Sequence, residues 1–186
     1  PSSICSGPYA TASAPLNIDF SASDAVSGVL DVQLWYRYSP GIGQAPGDWT
    51  AVATPATVAS GTFEFNPPLG EGIYDFYTLS RDVAGNGETE PDASTPPKAT
   101  VRYDTTPPFS SSQVCVMSED GQRECSTERF VKGLPFIVSF SAIDNICPVV
   151  STTIYYRFNG GEWTDIGWTT DRPVGEFVFD IDRGVG

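Results

Sequence analysis

The chain contains no histidine, only two lysines and a single methionine, and no apolar run approaching the length of a membrane span. Without an imidazole there is no Ser-His-Asp or Cys-His catalysis, and the usual zinc sites lose their commonest ligand. Basic side chains are scarce as well, 10 against 23 acidic ones, for a formal net charge of −13. Such a surface repels phosphate backbones and anionic lipid, so nucleic acid is not an expected partner, whereas cations such as calcium are attracted. A spanning helix needs roughly 20 apolar residues, so direct membrane insertion is not expected either. The opening Pro1-Ser2-Ser3 has neither the basic nor the apolar region of a signal peptide, and the chain reads as a mature or excised piece.

What is abundant points to strands. The 18 glycines and 16 prolines are spread along all 186 residues, too densely for long helices and well suited to short strands joined by turns. Four cysteines in an acidic, Ser- and Thr-rich chain suggest an oxidising setting, extracellular or at a cell surface.

The chain also repeats itself. Pro15-Leu16-Asn17-Ile18-Asp19-Phe20-Ser21-Ala22 aligns with Pro135-Phe136-Ile137-Val138-Ser139-Phe140-Ser141-Ala142. At the same offset Asp24 falls on Asp144, and Trp35-Tyr36-Arg37-Tyr38 on Tyr155-Tyr156-Arg157-Phe158. After a shorter loop Trp49 falls on Trp163, Gly61 on Gly175, Phe63 on Phe177 and Phe65 on Phe179. Two copies of one domain are expected, at 1–106 and 107–186.

Period-two alternation supplies the strands, because every second side chain of a strand points to one face. Leu16, Ile18, Phe20 and Ala22 share a face opposite Asn17, Asp19 and Ser21; Leu30, Val32, Leu34, Tyr36 and Tyr38 alternate with Asp31, Gln33, Trp35 and Arg37. Shorter strands are expected at Trp49 to Val52, Thr62 to Phe65, Ile73 to Arg81 and Ala99 to Tyr103, separated by Gly- and Pro-rich turns. About seven half-apolar strands in ~100 residues suit an all-β fold of antiparallel β-sandwiches.

Leu69-Gly70-Glu71-Gly72-Ile73-Tyr74, followed by Phe76, resembles the tyrosine corner of fibronectin type III and other immunoglobulin-like sandwiches. Arg81-Asp82-Val83-Ala84-Gly85-Asn86 and Tyr103-Asp104-Thr105-Thr106-Pro107-Pro108 are similar to the hairpin and linker of tandem immunoglobulin-like repeats in prokaryotic surface and secreted proteins. The resemblance covers nearly the whole chain. It implies tandem immunoglobulin-like sandwiches with Tyr74 as the corner residue, and it says little about function.

The second copy is shorter. Gly184-Val185-Gly186 falls on Gly70-Glu71-Gly72, so the counterparts of Ile73 to Tyr103 are absent and the second sandwich is expected to lack two strands. In this fold the sixth strand lies beside the third. Val149 to Phe158 should then present an open edge, with Val150, Thr152, Ile154, Tyr156 and Phe158 as assembly residues. The preferred explanation is a segment of a longer repeat protein, since tandem arrays are ordinary; the other is a strand donated by a neighbouring subunit.

The turn from Asp82 to Asp92 is the richest in carboxylates. Asp82, Asn86 and Gly87 occupy positions 1, 5 and 6 of an EF-hand-like loop, but Ala84 and Ala93 occupy positions 3 and 12. Asp24, Asp82, Asn86 and Glu88 are therefore candidate calcium ligands, set against the plainer reading that Asp82 and Asn86 cap a tight turn. Asp104-Thr105-Thr106 superficially resembles an aspartic-protease Asp-Thr-Gly but reads as linker.

Trp49 and Trp163 open equivalent short strands and read as structural, although exposed aromatics could stack on sugars. Trp35 with Arg37, and Tyr155 with Arg157, are expected to form cation–π pairs on outward faces. Trp168 replaces Thr54 and is the aromatic best placed to contact a partner. Among the cysteines, Cys115 and Cys125 bracket an insert turning at Asp120-Gly121 and are the leading pair; Cys147 competes for Cys115. Cys5 aligns with Cys115 and has no evident partner.

The expectation is a non-catalytic structural repeat of a stalk, adhesin, surface layer or filament, contacting further copies or neighbouring subunits through strands or poles. The alternative is a carbohydrate-binding module of a secreted hydrolase, with polysaccharide as ligand. No enzyme activity is expected.

Overall fold

The computed structural model describes residues 1–128, 131 and 133–180. They form no helix, and the strands fall into two compact units. The first comprises Pro1–Thr106, with Asn145–Cys147 grouped with it; the second comprises Pro107–Asp144 and Pro148–Gly186.

Eight strands build the first unit: β1 (Ser2–Ser6), β2 (Ala10–Thr11), β3 (Leu16–Ser23), β4 (Val29–Ser39), β5 (Thr50–Ala51), β6 (Ser60–Phe65), β7 (Gly72–Asp82) and β8 (Ala99–Tyr103). One sheet has the order β1-β3-β6 and the other β2-β8-β7-β4-β5, all antiparallel except the short β2–β8 pair. The alternation of β3 buries Leu16, Ile18 and Phe20 while Asn17, Asp19 and Ser21 stay wet. These three meet Val32, Leu34, Tyr74, Phe76 and Val101 from the second sheet, with Phe65 from β6, in one core. Two antiparallel layers closing on a shared apolar interior are consistent with a β-sandwich.

Alternation misreads two places. A bulge between Val29 and Asp31 turns Leu30 outward, 47% exposed, and buries Asp31 in its place. That carboxylate survives because Arg81, directly across on β7, grips both of its oxygens at 3.0 and 2.6 Å. Strand β1 is polar inside and apolar outside: Ser3 and Cys5 are buried and Ile4 is exposed. Ser3 can face inward because its hydroxyl donates to the Thr78 carbonyl at 2.8 Å and to Glu88.

The second unit contains β9 (Phe109–Met117), β10 (Arg123–Ser126), β11 (Phe136–Ile143), β12 (Thr152–Tyr156), β13 (Thr164–Thr170) and β14 (Val174–Phe179). Its sheets have the orders β10-β9-β11-β14 and β12-β13. Register shows how the copies correspond. Phe20 lies opposite Gly61 and Phe140 opposite Gly175; Tyr36 lies opposite Thr50 and Tyr156 opposite Thr164. Both glycines are needed for closeness: a methyl at Gly175 would stand 2.7 Å from the Phe140 ring, and one at Gly61 3.3 Å from Phe20. Thus β9, β11 and β14 repeat β1, β3 and β6, and β12 and β13 repeat β4 and β5. Nothing among the described residues repeats β7 or β8; the expected match of 184–186 to Gly70-Glu71-Gly72 lies outside those residues.

The same register corrects the placement of Cys5. It faces Phe20, whereas the residue facing Phe140 is Ser112, so Ser112 rather than Cys115 is its counterpart, and Ser3 corresponds to Ser110. The sequence alignment slipped because β9 carries no apolar alternation at its start.

Candidate functional site

At one end of the first unit, Asp24 folds back on its own turn. Its Oδ1 accepts the N–H groups of Val26, Ser27 and Gly28 at 3.0, 2.7 and 3.0 Å, and these hold the carboxyl far below the usual range. Asp82 does the same across the next hairpin. Its two oxygens accept the Asn86 side-chain and backbone N–H groups, both at 2.7 Å, which depresses its titration although the neighbouring Asp24 charge opposes this. Gly85 supplies the positive φ of that turn, 92°. The two aspartates are near enough to feel one another, but each is engaged by its own turn, and Asp24 Oδ2 also faces the N-terminal ammonium of Pro1 at 3.2 Å.

Glu88 leaves this group. It turns inward, where Oε2 accepts from Ser3, from the Ser80 N–H at 2.7 Å and from the Ser80 hydroxyl at 2.8 Å, while Oε1 faces Lys98 Nζ at 3.1 Å. Burial alone would raise its titration; these bonds outweigh burial and lower it. Lys98 is in turn held by the carbonyls of Ser3 and Thr78 at 2.8 and 2.7 Å. This is an internal polar lock between β1, β7 and β8. Burial beside it raises the Cys5 thiol above its ordinary value. Among the described residues no group of three or more His, Cys, Asp or Glu is arranged to hold a metal ion.

Tyr74 closes the turn before β7. Its hydroxyl donates to the Gly70 carbonyl at 2.8 Å and accepts the Leu69 N–H at 3.2 Å, and burial pushes it up to about 12. The same turn anchors Asp104-Thr105-Thr106, whose Thr105 and Thr106 hydroxyls donate to Glu71, so this segment is structural.

The aromatics also pair differently from expectation. Arg37 stacks on Trp49, 4.7 Å from its centroid, rather than on Trp35, and Arg157 stacks on Trp163 at 5.1 Å rather than on Tyr155. A cation thus covers one face of each repeated indole. Trp168 is half-buried and packs within the second unit, edge-on to Phe140 at 5.5 Å and beside Phe177 at 5.1 Å. Cys115 and Cys125 lie directly opposite in the β9–β10 hairpin and form a disulfide, which removes Cys147 as a partner for Cys115.

A concavity belongs to the second unit. A cavity of about 860 Å³ opens between β12 and the inner face of β9 and β11, floored by Ser110, Ser112, Val114, Phe136 and Val138. Thr152, Ile154, Tyr156 and Phe158 form its wall; Val150 lies outside β12, is 79% exposed and takes no part. Positions that are sealed in the first copy are open here. Leu16 and Ile18 are 1% and 0% exposed, while their counterparts Phe136 and Val138 are only half-buried; Ser3 is 5% exposed and Ser110 is exposed. The first copy fills this space with Tyr74, Phe76 and Val101. Along the edge of β12 away from β13, no strand lies among the described residues. Sequence reasoning found the edge but missed the serine floor, which no apolar pattern marks.

No family model matches this sequence, and neither the curated proteins nor the solved structures contain a match.

Proposed function

We propose that this chain is a non-catalytic structural repeat of an extracellular or cell-surface assembly, built from immunoglobulin-like units that space and join their neighbours through strand contacts. The observation that carries this reading is the open, apolar groove along β12, set against the same face in the first unit covered by two strands. The corner bond of Tyr74, the alternation of β3 and β11 and the hairpin of Asp82 to Asn86 support the immunoglobulin-like comparison. A disulfide supports an oxidising location, and no helix is long and apolar enough to cross a membrane among the described residues. The depressed Asp24 and Asp82, each bonded to its own turn, favour capping over calcium.

Single-molecule stretching tests the mechanical role. The first unit should unfold as one force-bearing step, releasing roughly 350 Å of chain at ~3.3–3.6 Å per residue. Retention on insoluble glycan that disappears in Trp163→Ala would instead establish the carbohydrate-binding alternative, since Trp163 is 63% exposed.

A further inference from the structure

We propose that the groove of the second unit is a docking site for one extended polypeptide strand, antiparallel to β12, whose inward side chains follow the pattern of β7: aromatic, aromatic, Thr, Ser at every second position. This rests on the structural reading above and names the partner that reading requires.

The first unit is the template. There β7 runs beside β4 with Tyr74 opposite Tyr38, Phe76 opposite Tyr36, Thr78 opposite Leu34 and Ser80 opposite Val32. The counterparts of Tyr38, Tyr36, Leu34 and Val32 are Phe158, Tyr156, Ile154 and Thr152, which form the groove wall in that order. An incoming strand therefore meets aromatics at the Phe158 end and small side chains at the Thr152 end. The floor agrees. Ser3 donates to the β7 carbonyl of Thr78 in the first unit, and its counterpart Ser110 stands exposed on the groove floor with a hydroxyl of the same reach. A strand there gains ladder hydrogen bonds from β12, a backbone acceptor for Ser110, and burial for Phe136, Val138 and Val114. The volume lies within the ~300–1,000 Å³ of ordinary binding clefts.

The strand comes from outside the described residues. Among these the one strand with this pattern, β7, is paired on both sides by β4 and β8 and buried in the first unit's core, so a second copy does not offer it.

The test adds a synthetic peptide of the sequence Gly72 to Asp82 to the whole chain and follows amide hydrogen exchange. Binding at one peptide per chain should slow exchange of the β12 amides at least tenfold and leave those of β4 unchanged. A peptide carrying Tyr74→Ser and Phe76→Ser should lose this protection, as should the chain variant Ser112→Arg, which places a long cation on an exposed floor position. Equal protection by both peptides, or none up to millimolar concentration, overturns the proposal. So does a peptide-free dimer whose β12 amides are already protected, which would make the occupant a second copy. A chain that ignores the peptide but still resists force leaves the structural role standing, whereas glycan retention removes that role itself.

Discussion

Single side chains in the first unit do work that their residue type does not announce. Tyr74 is buried as deeply as any aliphatic residue, yet its value lies in one oxygen that satisfies both a carbonyl and an N–H of the turn before β7. Tyr74→Phe keeps the ring and strands those two groups, so chemical denaturation should show a loss of about 1–3 kcal/mol. A change within experimental error would mean that water replaces the hydroxyl. Glu88 makes a second case. Its folded titration lies below its ordinary value of 4.5, so its stabilising contribution is fully present above that value and fades as pH falls through the depressed folded one. Denaturation midpoints of the first unit should fall on acidification in this window, and Glu88→Gln should flatten that fall in part. Asp24, Glu71, Asp82 and Asp92, depressed in the same direction, contribute to the remainder. An unchanged acid slope in Glu88→Gln would show that the Lys98 contact carries no linkage.

Among the elements, the β9–β10 hairpin is the only one stapled covalently among the described residues. Its strands carry few buried apolar side chains, and Cys115 is the one deeply buried residue among them. Closing a loop of this length removes enough unfolded-state entropy to stabilise by about 2–3 kcal/mol. Cys115→Ala with Cys125→Ala should therefore lower the denaturation midpoint of the second unit and leave that of the first where it was. Equal effects on both would point to global loosening. Strand β7 teaches the complementary point. It is the most thoroughly paired strand of the first unit, flanked by β4 and β8, and no strand among the described residues takes its place beside β12, where the groove opens.

For the molecule as a whole, the two units differ in how far their apolar faces are covered among the described residues. The first closes its core with strands on every side; the second leaves Phe136 and Val138 half-buried and Tyr155 54% exposed. Unfolding should accordingly proceed in two steps, the second unit first. Tryptophan reports on both, since Trp35 and Trp49 belong to the first and Trp163 and Trp168 to the second. Urea titration of Trp163→Phe/Trp168→Phe should retain only the later transition. One shared, coincident transition would contradict the picture of units with separate cores.

The all-β character and the alternation of β3 and β11 were legible in the amino-acid order, because strand periodicity is a local pattern of polarity. Where partners are distant, order alone failed. The inward serines of β1 and β9, the bulge that trades Leu30 for Asp31, the stacking of Arg37 on Trp49 and the packing of Trp168 on Phe140 all depend on which residue the fold sets opposite, and that is a tertiary fact. Glu88 shows the division most clearly: its sequence neighbours placed it with Asp82, but the donors that satisfy it are Ser3 on β1, Ser80 on β7 and Lys98 just before β8, and a half-buried carboxylate goes where its hydrogen bonds are.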